Sequence, residues 1–299
     1  MTNYINKNTI QSIPFKKGAE NFCENQDIKT YNNITNEFNF LQQYIDFDIS
    51  HSKYLSKGER GKDRYPDVKP YNHNIVYISN GTKYINASPI NFPRYKYFIS
   101  TQGPKKETIE DFWTMVWEND CNIIIMLCNE KENGIEKCSK YWDTSKTMNN
   151  YLIIMGDIIE KKEYIIREIF LYHNSLENAR LIYQIHFTGW PDHGVPSIIY
   201  GTIFDDFIEI IELVDNRRGS GSIVVHCSAG VGRTGIFISM YYLEKEIKMQ
   251  IENKVDVIKF SIFNMVRKLK EMRLYLVQTE SQYRFIYEFA NYLLKKYNI

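Results

Sequence analysis

The stretch from Ser222 to Phe237 constrains the fold more than any other part of the chain. A run of β-branched residues, Ile223 to Val225, leads to Cys227; three glycines lie within the next eight residues, and helical spacing begins at Ile236. This order predicts a strand, a tight loop and a helix. A glycine-rich loop that enters a helix N-terminus turns successive backbone N–H groups inward. The stretch therefore predicts a loop that binds an anion such as phosphate.

The glycines also satisfy the Gly-x-Gly-x-x-Gly spacing of a dinucleotide-binding loop. That fold needs a strand ending in an acidic residue after the helix, whereas residues 236–275 carry mainly helical spacing. It also gives no reason for Cys227 or Arg233. Both residues fit a site in which the bound anion is attacked, because the loop N–H groups, the helix N-terminus and a guanidinium all favour a thiolate. The planar fork of Arg233 can also hold two oxygens of a phosphoryl group.

Residues 226–235 read His-Cys-Ser-Ala-Gly-Val-Gly-Arg-Thr-Gly, which resembles the signature loop of protein tyrosine phosphatases. The resemblance implies that Cys227 attacks phosphorus, that Arg233 holds the phosphoryl oxygens, and that Thr234 stabilises the thiolate when it departs. It also implies a phosphate-binding loop formed by Ser228, Ala229, Gly230, Val231, Gly232 and Arg233.

His226 directly precedes the cysteine, and a Cys–His pair can indicate a proton-abstracting dyad. Neighbouring residues on a strand point to opposite faces, so the imidazole cannot easily reach the sulfur of Cys227. We predict instead that His226 supports the loop by orienting it through hydrogen bonds.

Residues 190–196, Trp-Pro-Asp-His-Gly-Val-Pro, combine two prolines with a glycine, as expected for a stiff flap with a permissive hinge. The segment resembles the acid loop of the same family, with Asp192 as the general acid. Because a phenolate leaving group has a solution pKa of about 10, its release near neutral pH needs a proton donor. Gly189 stands where the family has a hydroxyl residue, and we expect a looser hinge.

Residues 62–68, Lys-Asp-Arg-Tyr-Pro-Asp-Val, resemble the phosphotyrosine-recognition loop of the family. Pro66 favours an extended backbone at Tyr65, which helps to present the aromatic side chain. The resemblance implies that Tyr65 stacks on the substrate ring and that Asp67 binds the substrate main-chain N–H. A partly buried core position is the alternative for Tyr65. The family has asparagine where Asp63 stands.

The charged run from Asn129 to Cys138 reads by itself as a solvated hairpin tip. By resemblance, Glu132 corresponds to the carboxylate that braces the phosphate-binding arginine, and Lys137 to a lysine that faces the acid loop. A brace makes physical sense because the long Arg233 side chain would otherwise lose entropy at each binding event.

Residues 277–283 precede the last predicted helix, and Thr279 with Gln282 forms a capping-box pattern. Gln278 is not explained by the cap; it matches the family glutamine that positions the attacking water in the second step. Arg273 stands at a substrate-facing position of the family. Tyr275 stands where a small glycine usually opens the mouth of the site, so we predict restricted substrate choice or a lowered rate.

Composition and charge limit the class of protein. The chain has 299 residues, of which 43% are hydrophobic and 24% charged, and its net charge of +1 gives no basis for binding nucleic acid. The five cysteines lack Cys-x-x-Cys spacing and read as free thiols in a reducing compartment. The sequence shows no apolar stretch of membrane-spanning length and no secretory signal, so we predict a cytoplasmic protein without a membrane span. We expect neither a metal nor a cofactor, because Arg233 and the loop dipoles supply the stabilising charge.

The motifs predict an α/β fold in which helices flank a highly twisted mixed β-sheet, as in the cysteine phosphatases that the chain resembles. We predict a catalytic domain over residues 35–299 and a polar N-terminal arm over residues 1–34. Apolar periodicity predicts helices near 35–47, 197–214, 236–248, 255–272 and 283–294. It predicts strands within 75–100, near 123–127, 151–159, 164–172 and 181–188, and directly before Cys227.

The resemblance implies a signalling enzyme that hydrolyses phosphotyrosine in proteins through a phosphocysteine on Cys227, with Asp192 as acid and then base. A pocket walled by Tyr65 is too deep for phosphoserine, which disfavours a dual-specificity enzyme. A second hypothesis is a catalytically weak module that binds phosphotyrosine and traps its partners. Tyr275 and Asp63 favour that module, whereas the retained catalytic set argues against it. The richness in Asn, Ile, Lys and Tyr is typical of an AT-biased genome, as in a virus or parasite.

Overall fold

A seven-stranded mixed β-sheet forms the centre of the computed structural model, in the part of the chain that the structure describes. The described residues are 31–50, 54–81, 83–142, 148–174, 178–191, 194–198, 202–217 and 221–298. The fold class predicted from the sequence, a mixed sheet flanked by helices, is confirmed.

Apart from β4 and β5, which lie in the charged run, the strands follow the predicted apolar runs. They are β1 (Ala87–Ile90), β2 (Phe98–Thr101), β3 (Ile123–Met126), β4 (Lys131–Glu132), β5 (Ile135–Glu136), β6 (Tyr151–Glu160), β7 (Tyr164–His173), β8 (Arg180–Phe187) and β9 (Ile223–His226). The order in the large sheet is β1-β2-β9-β3-β8-β7-β6, and β4 pairs with β5 in a separate hairpin. The four central strands β2, β9, β3 and β8 run parallel, and the outer pairs are antiparallel.

The parallel register brings three strand ends to one edge of the sheet. Thr101 of β2 and Met126 of β3 both lie opposite His226 of β9. The central strands are buried on both faces, which explains why they read as continuous apolar runs rather than as alternating ones. Ligands of open α/β sheets bind outside the carboxyl ends of the strands, so the loops that follow β2, β3 and β9 meet where a site is expected.

Helices cover the sheet. They are α1 (Tyr31–Ser50), α2 (Ile109–Glu118), α3 (Thr202–Asn216), α4 (Gly232–Glu252), α5 (Ile262–Met272) and α6 (Glu280–Lys296). Helix α4 packs against α3, α5 and α6, and α1 packs against α5 and α6. None of the helices in the described ranges combines the length and the apolarity needed to cross a bilayer.

Two predicted helix starts are wrong by five residues or more, and α4 begins at Gly232, four residues before the predicted start at Ile236. Helix α5 begins at Ile262, not near residue 255, because the Gln250 side chain hydrogen-bonds the backbone N–H and C=O of Lys259 and holds the preceding segment apart from the helix. Ser261 then caps α5, accepting from the N–H of Asn264 at 3.2 Å. Helix α3 begins at Thr202 rather than near residue 197, since residues 194–198 are irregular.

The predicted strands within residues 75–100 are only partly present. Tyr77 and Tyr84 form an isolated bridge, because a tight turn closes with the Lys83 N–H on the Asn80 carbonyl. Continuous pairing starts at Ala87. Helix α1 begins at Tyr31, four residues inside the predicted arm, and residues 1–30 of that arm lie outside the described residues.

Candidate active site

The loop between β9 and α4 carries Cys227, whose residue surface is 5% exposed. Gly230 in this loop has φ of +69°, and a Cβ at this position would lie 2.1 Å from the carbonyl oxygen of Thr101. A side chain is therefore excluded by both conformation and space. The Ser100 hydroxyl donates to the Gly230 carbonyl at 2.8 Å and fixes the loop against β2.

Arg273 lies behind the loop, and the prediction that it faces the substrate is wrong. Its side chain is fully buried, and it donates to the carbonyl oxygens of Gly230 at 3.0 Å and Ala229 at 3.3 Å, and to Asn86 Oδ1 at 2.7 Å. Burial lowers its pKa to about 10, so the guanidinium stays charged near neutral pH. Because a trans peptide points its C=O and N–H in opposite directions, these contacts turn the N–H groups of Gly230 and Val231 towards the site.

Arg233, in the first turn of α4, is held by a carboxylate. Its Nη1 lies 2.5 Å from Glu132 Oε1 and its Nη2 lies 2.8 Å from Oε2, a bidentate pair. Nη1 also donates to the carbonyl oxygen of Leu127 at 3.1 Å. Burial alone lowers the pKa of Arg233, but the hydrogen bonds and charge of Glu132 outweigh it, and the pKa is raised. The guanidinium is therefore a permanent, oriented cation beside Cys227.

The β4–β5 hairpin presents Glu132. The hairpin is present as predicted, and Lys131 and Ile135 are exposed, yet Glu132 is only 4% exposed. Its Oε1 also accepts from the N–H of Asn129 at 3.1 Å. The Lys137 carbonyl accepts from the Ser228 hydroxyl at 2.9 Å. The role of the Lys137 side chain towards the acid loop stays a prediction.

The described ends of the acid loop dock on Arg233. Its Nη2 donates to the Pro191 carbonyl at 3.2 Å, and its Cζ lies 5.7 Å from the centroid of the Trp190 ring. Trp190 is buried against Phe187, and its indole N–H donates to the Gly194 carbonyl at 3.3 Å. Asp192, the predicted general acid, lies outside the described residues.

The hinge before Trp190 is tied to the turn between β6 and β7. The Glu163 carbonyl accepts from the N–H groups of Thr188 at 2.8 Å and Gly189 at 3.2 Å. A Cβ at Gly189 would lie 2.1 Å from a carboxylate oxygen of Glu163. The glycine therefore makes room for Glu163; the predicted looser hinge is not tested by this contact.

The recognition loop places Tyr65 beside the phosphate-binding loop. Tyr65 is half-buried, and its hydroxyl lies 2.9 Å from the Ser228 Oγ. Pro66 occupies the second position of a turn closed by the Val68 N–H on the Tyr65 carbonyl at 3.0 Å. Asp67 is exposed, as a group that meets a peptide at the surface must be.

Asp63 anchors this loop in place of the family asparagine. Its Oδ1 accepts from the Tyr84 hydroxyl at 2.6 Å and from Asn86 Nδ2 at 2.8 Å. Burial, together with the hydrogen bond to Asp63, raises the pKa of Tyr84 and keeps it a donor. Arg64, which the sequence reasoning missed, donates its backbone N–H to Gln102 Oε1 at 2.8 Å and its guanidinium to the next two carbonyls of that connector. Arg64 lies in a loop rich in charged residues, and its local sequence carried no sign of this role.

Gln278 and Gln282 lie at the start of α6. The predicted capping box is present, with Thr279 and Gln282 bonded reciprocally. Gln282 Oε1 also accepts from the Gln278 N–H at 2.8 Å, and the Val277 N–H donates to the Val231 carbonyl at 3.2 Å. Gln278 itself is exposed and free to reach a ligand, and this segment is held directly against the phosphate-binding loop.

Thr234 is fully buried, and its hydroxyl has no hydrogen-bond partner within the described part of the chain. A buried polar group left unpaired costs about 1–3 kcal/mol. This cost is expected for a hydroxyl whose hydrogen-bond partner is a species that forms during the reaction, such as the departing thiolate.

Tyr275 has φ of +69°, a conformation that glycine adopts easily and a tyrosine adopts at a cost. It is half-buried and packs with Leu55, Tyr71 and Leu274, and Leu55 pairs with Tyr71 to close the recognition loop. The tyrosine therefore lies at the base of the loop that carries Tyr65.

We expect Tyr275→Gly to raise kcat/KM for a phosphotyrosine peptide by about 3- to 10-fold. Family members usually carry a small glycine here, which opens the mouth of the site to substrate, and the change of one pocket contact has an effect of this order. The rate with a small aryl phosphate should change less. Steady-state kinetics with both substrates checks this, with Tyr275→Phe as the size-matched control. An equal change with the two substrates would contradict a role at the mouth.

A buried cysteine at a strand end, an inward-facing N–H loop and a braced guanidinium together define a cysteine-based phosphoryl-transfer site. A sequence model of the protein-tyrosine phosphatase family matches residues 59–292. The chain belongs to this family.

Individual relatives agree. The chain is 35% identical over 262 residues to rat tyrosine-protein phosphatase non-receptor type 20, covering 85% of this chain and 59% of that protein. It is 38% identical over 239 residues to human receptor-type tyrosine-protein phosphatase alpha, covering 76% of this chain and 29% of that protein. It thus spans less than two thirds of the length of these relatives. The catalytic domain of human protein tyrosine phosphatase non-receptor type 18 superposes with a TM-score of 0.76 at 29% identity, over 88% of this chain and 96% of that one.

Proposed function

We propose that this chain hydrolyses phosphotyrosine in proteins through a phosphocysteine intermediate. The observation that carries the proposal is the bidentate Glu132–Arg233 pair, which fixes a planar cation beside Cys227, where a phosphoryl group would bind. Family membership supports the same reaction. A solved complex of the similar non-receptor type 18 enzyme contains HER2 phosphopeptides.

In the first step, the Cys227 sulfur attacks phosphorus in line, and the bond from phosphorus to the tyrosyl oxygen breaks. Arg233 and the N–H groups of the loop from Ser228 to Gly232 bind the equatorial oxygens. Asp192 gives its proton to the departing phenolate. In the second step a water positioned by Gln278 attacks phosphorus, Asp192 takes a proton from it, and the sulfur leaves as a thiolate.

The Thr234 hydroxyl donates a hydrogen bond to that departing thiolate. The buried, unpartnered state of this hydroxyl among the described residues supports the role. His226, Glu132, Lys137 and Gln282 position the groups that touch substrate. Tyr65 and Asp67 bind the phosphotyrosine ring and the adjoining peptide.

We also propose that the catalytic domain begins near residue 35 and that the protein acts in signalling in the cytoplasm. A nucleophilic thiolate must remain reduced, and the free Cys121, Cys128 and Cys138 of the described residues fit a reducing compartment.

The test of substrate class is the turnover of matched peptides that differ only in phosphotyrosine or phosphoserine. We expect a preference of about 10³-fold or more for phosphotyrosine, because the Tyr65 wall keeps a shorter side chain from Cys227. Tyr65→Ala should narrow the preference, and Tyr77→Ala, at an exposed tyrosine, should leave it unchanged. Equal turnover of the two peptides by the wild type would overturn the proposed specificity for phosphotyrosine. Binding of the peptide without release of phosphate would overturn the proposal that the chain is an enzyme.

A further inference from the structure

A chain of hydrogen bonds runs behind the central strands from Arg167 on β7 to the catalytic loop. Arg167 Nη1 donates to Gln184 Oε1 at 2.8 Å, and Gln184 Nε2 donates to the Tyr141 hydroxyl at 2.7 Å. The Tyr141 oxygen lies 2.8 Å from His226 Nε2, and His226 Nδ1 lies 3.1 Å from the carbonyl oxygen of Cys227. We call these residues the Arg167 relay.

The two ends of the relay fix its direction. A guanidinium can only donate, so Gln184 must turn its oxygen towards Arg167 and its NH₂ towards Tyr141. A carbonyl can only accept, so Nδ1 of His226 carries the proton and Nε2 accepts from Tyr141. Burial lowers the pKa of His226 to about 3, which keeps the imidazole neutral as this pattern requires. Every bond therefore donates towards the catalytic loop.

A second branch leaves the same guanidinium nitrogen. Arg167 Nη1 lies 3.2 Å from Nδ1 of His186, and His186 Nε2 lies 2.9 Å from the carbonyl oxygen of Cys128. Burial and the charge of Arg167 lower the pKa of His186 to about 4, so this ring is also neutral. The two branches end just after the neighbouring parallel strands β9 and β3.

Arg167 is half-buried and the rest of the relay is buried, and directional chains of hydrogen bonds in a low-dielectric interior polarise one another. Gln184 and His226 are fully buried, and Tyr141 is nearly so. Arg167 stacks on Trp142, with its Cζ 5.0 Å from the ring centroid, and burial lowers its pKa without removing the charge. A fixed cation therefore lies at the start of two aligned chains that end at the loop.

We propose that Arg167 is a positioning residue for the nucleophile, acting through the relay to hold the Cys227 peptide in place and to favour the thiolate. This inference rests on the proposed function. Within the described residues, the guanidiniums of Arg233 and Arg273 and the thiol of Cys128 also interact electrostatically with Cys227. The proposal adds to these a charge that touches neither substrate nor sulfur.

The experiment measures alkylation of Cys227 by iodoacetamide as a function of pH, following the Cys227 peptide by mass spectrometry. We expect Arg167→Met to shift the midpoint upward by about 0.3 pH unit, because loss of the charged donor weakens each of the aligned hydrogen bonds by roughly 10–30%. Arg167→Lys keeps a cation that can only donate, so its midpoint should lie close to the wild-type value. With a phosphotyrosine peptide, Arg167→Met should lower kcat more than it changes KM.

Arg180→Met is the matched control, because Arg180 also stacks on a tryptophan, 4.2 Å from the ring of Trp117, outside the relay. Thermal unfolding of each variant shows which of them fold. Gln184→Glu offers a second perturbation, since a carboxylate draws the Tyr141 proton away from His226. Unchanged midpoints in folded Arg167→Met and Gln184→Glu, or an equal shift in Arg180→Met, would overturn the proposal. Alkylation needs no turnover, so failure of the phosphatase function would appear separately.

Discussion

Cys227→Ser will abolish phosphate release from a phosphotyrosine peptide, with a fall in kcat of about 10⁴-fold or more. A serine hydroxyl is nearly isosteric with the thiol, so the loop N–H groups and Arg233 remain in place to bind the phosphoryl group. It is a much weaker nucleophile at neutral pH, because the reactive species of a cysteine is the thiolate. Phosphate release in single-turnover and steady-state assays measures the effect.

Cys121→Ser is the matched control, because Cys121 is a fully buried thiol before β3 whose sulfur lies 3.7 Å from the Asn119 carbonyl oxygen. It should change stability and leave kcat within about twofold. Binding of the phosphopeptide to the Cys227→Ser protein should persist, as measured by calorimetry. Substantial turnover by Cys227→Ser would mean that another residue carries the phosphoryl group.

Arg233→Lys should lower kcat/KM by about 10³-fold, although the charge is conserved. Arg233 bonds both oxygens of Glu132 and, at the same time, the carbonyls of Leu127 and Pro191. A lysine ammonium is a point charge with three donors and a shorter reach, so it cannot keep these four contacts and bind a phosphoryl oxygen as well. Steady-state kinetics with a phosphotyrosine peptide provides the measurement.

Arg284→Lys serves as the comparison, because Arg284 pairs with Glu280 four residues earlier on α6, away from Cys227. This pair is half-buried and Arg284 also donates to Thr35 Oγ1 of α1 at 2.6 Å, so the lysine variant should change stability slightly and retain activity. If Arg233→Lys kept more than about a tenth of the wild-type kcat/KM, the bidentate hold on the phosphoryl group would not be a main source of rate.

Local patterns predicted most of the fold. The apolar run Ile123–Met126 and the alternating segments that form β6, β7 and β8 lie close to their predicted bounds, because burial on one or both faces imposes a simple period. The start of α5 was wrong for a non-local reason. Gln250, on the preceding helix, captures the backbone at Lys259, and periodicity carries no sign of such a contact.

The residues of the candidate site also divide into those that local sequence predicts and those that depend on non-local contacts. Cys227 and Arg233 were found from the pattern of the loop and Glu132 from the family resemblance, and the structure brings these three together. The buried position of Arg273 and the Arg167 relay depend on residues far apart in sequence, and only the packed sheet joins them. A polar residue in an apolar strand, such as Gln184, was the one local sign that a buried network exists.

The guanidinium of Arg233 belongs at once to the anion site and to the acid loop, through its contact with the Pro191 carbonyl. Two events that share one side chain are thermodynamically linked. If a phosphoryl group bound to Arg233 favours docking of the acid loop, docking of that loop must increase the affinity for the phosphoryl group by the same factor. Substitutions in the acid loop should therefore change the affinity for inorganic oxyanions, although these anions make no contact with the acid loop.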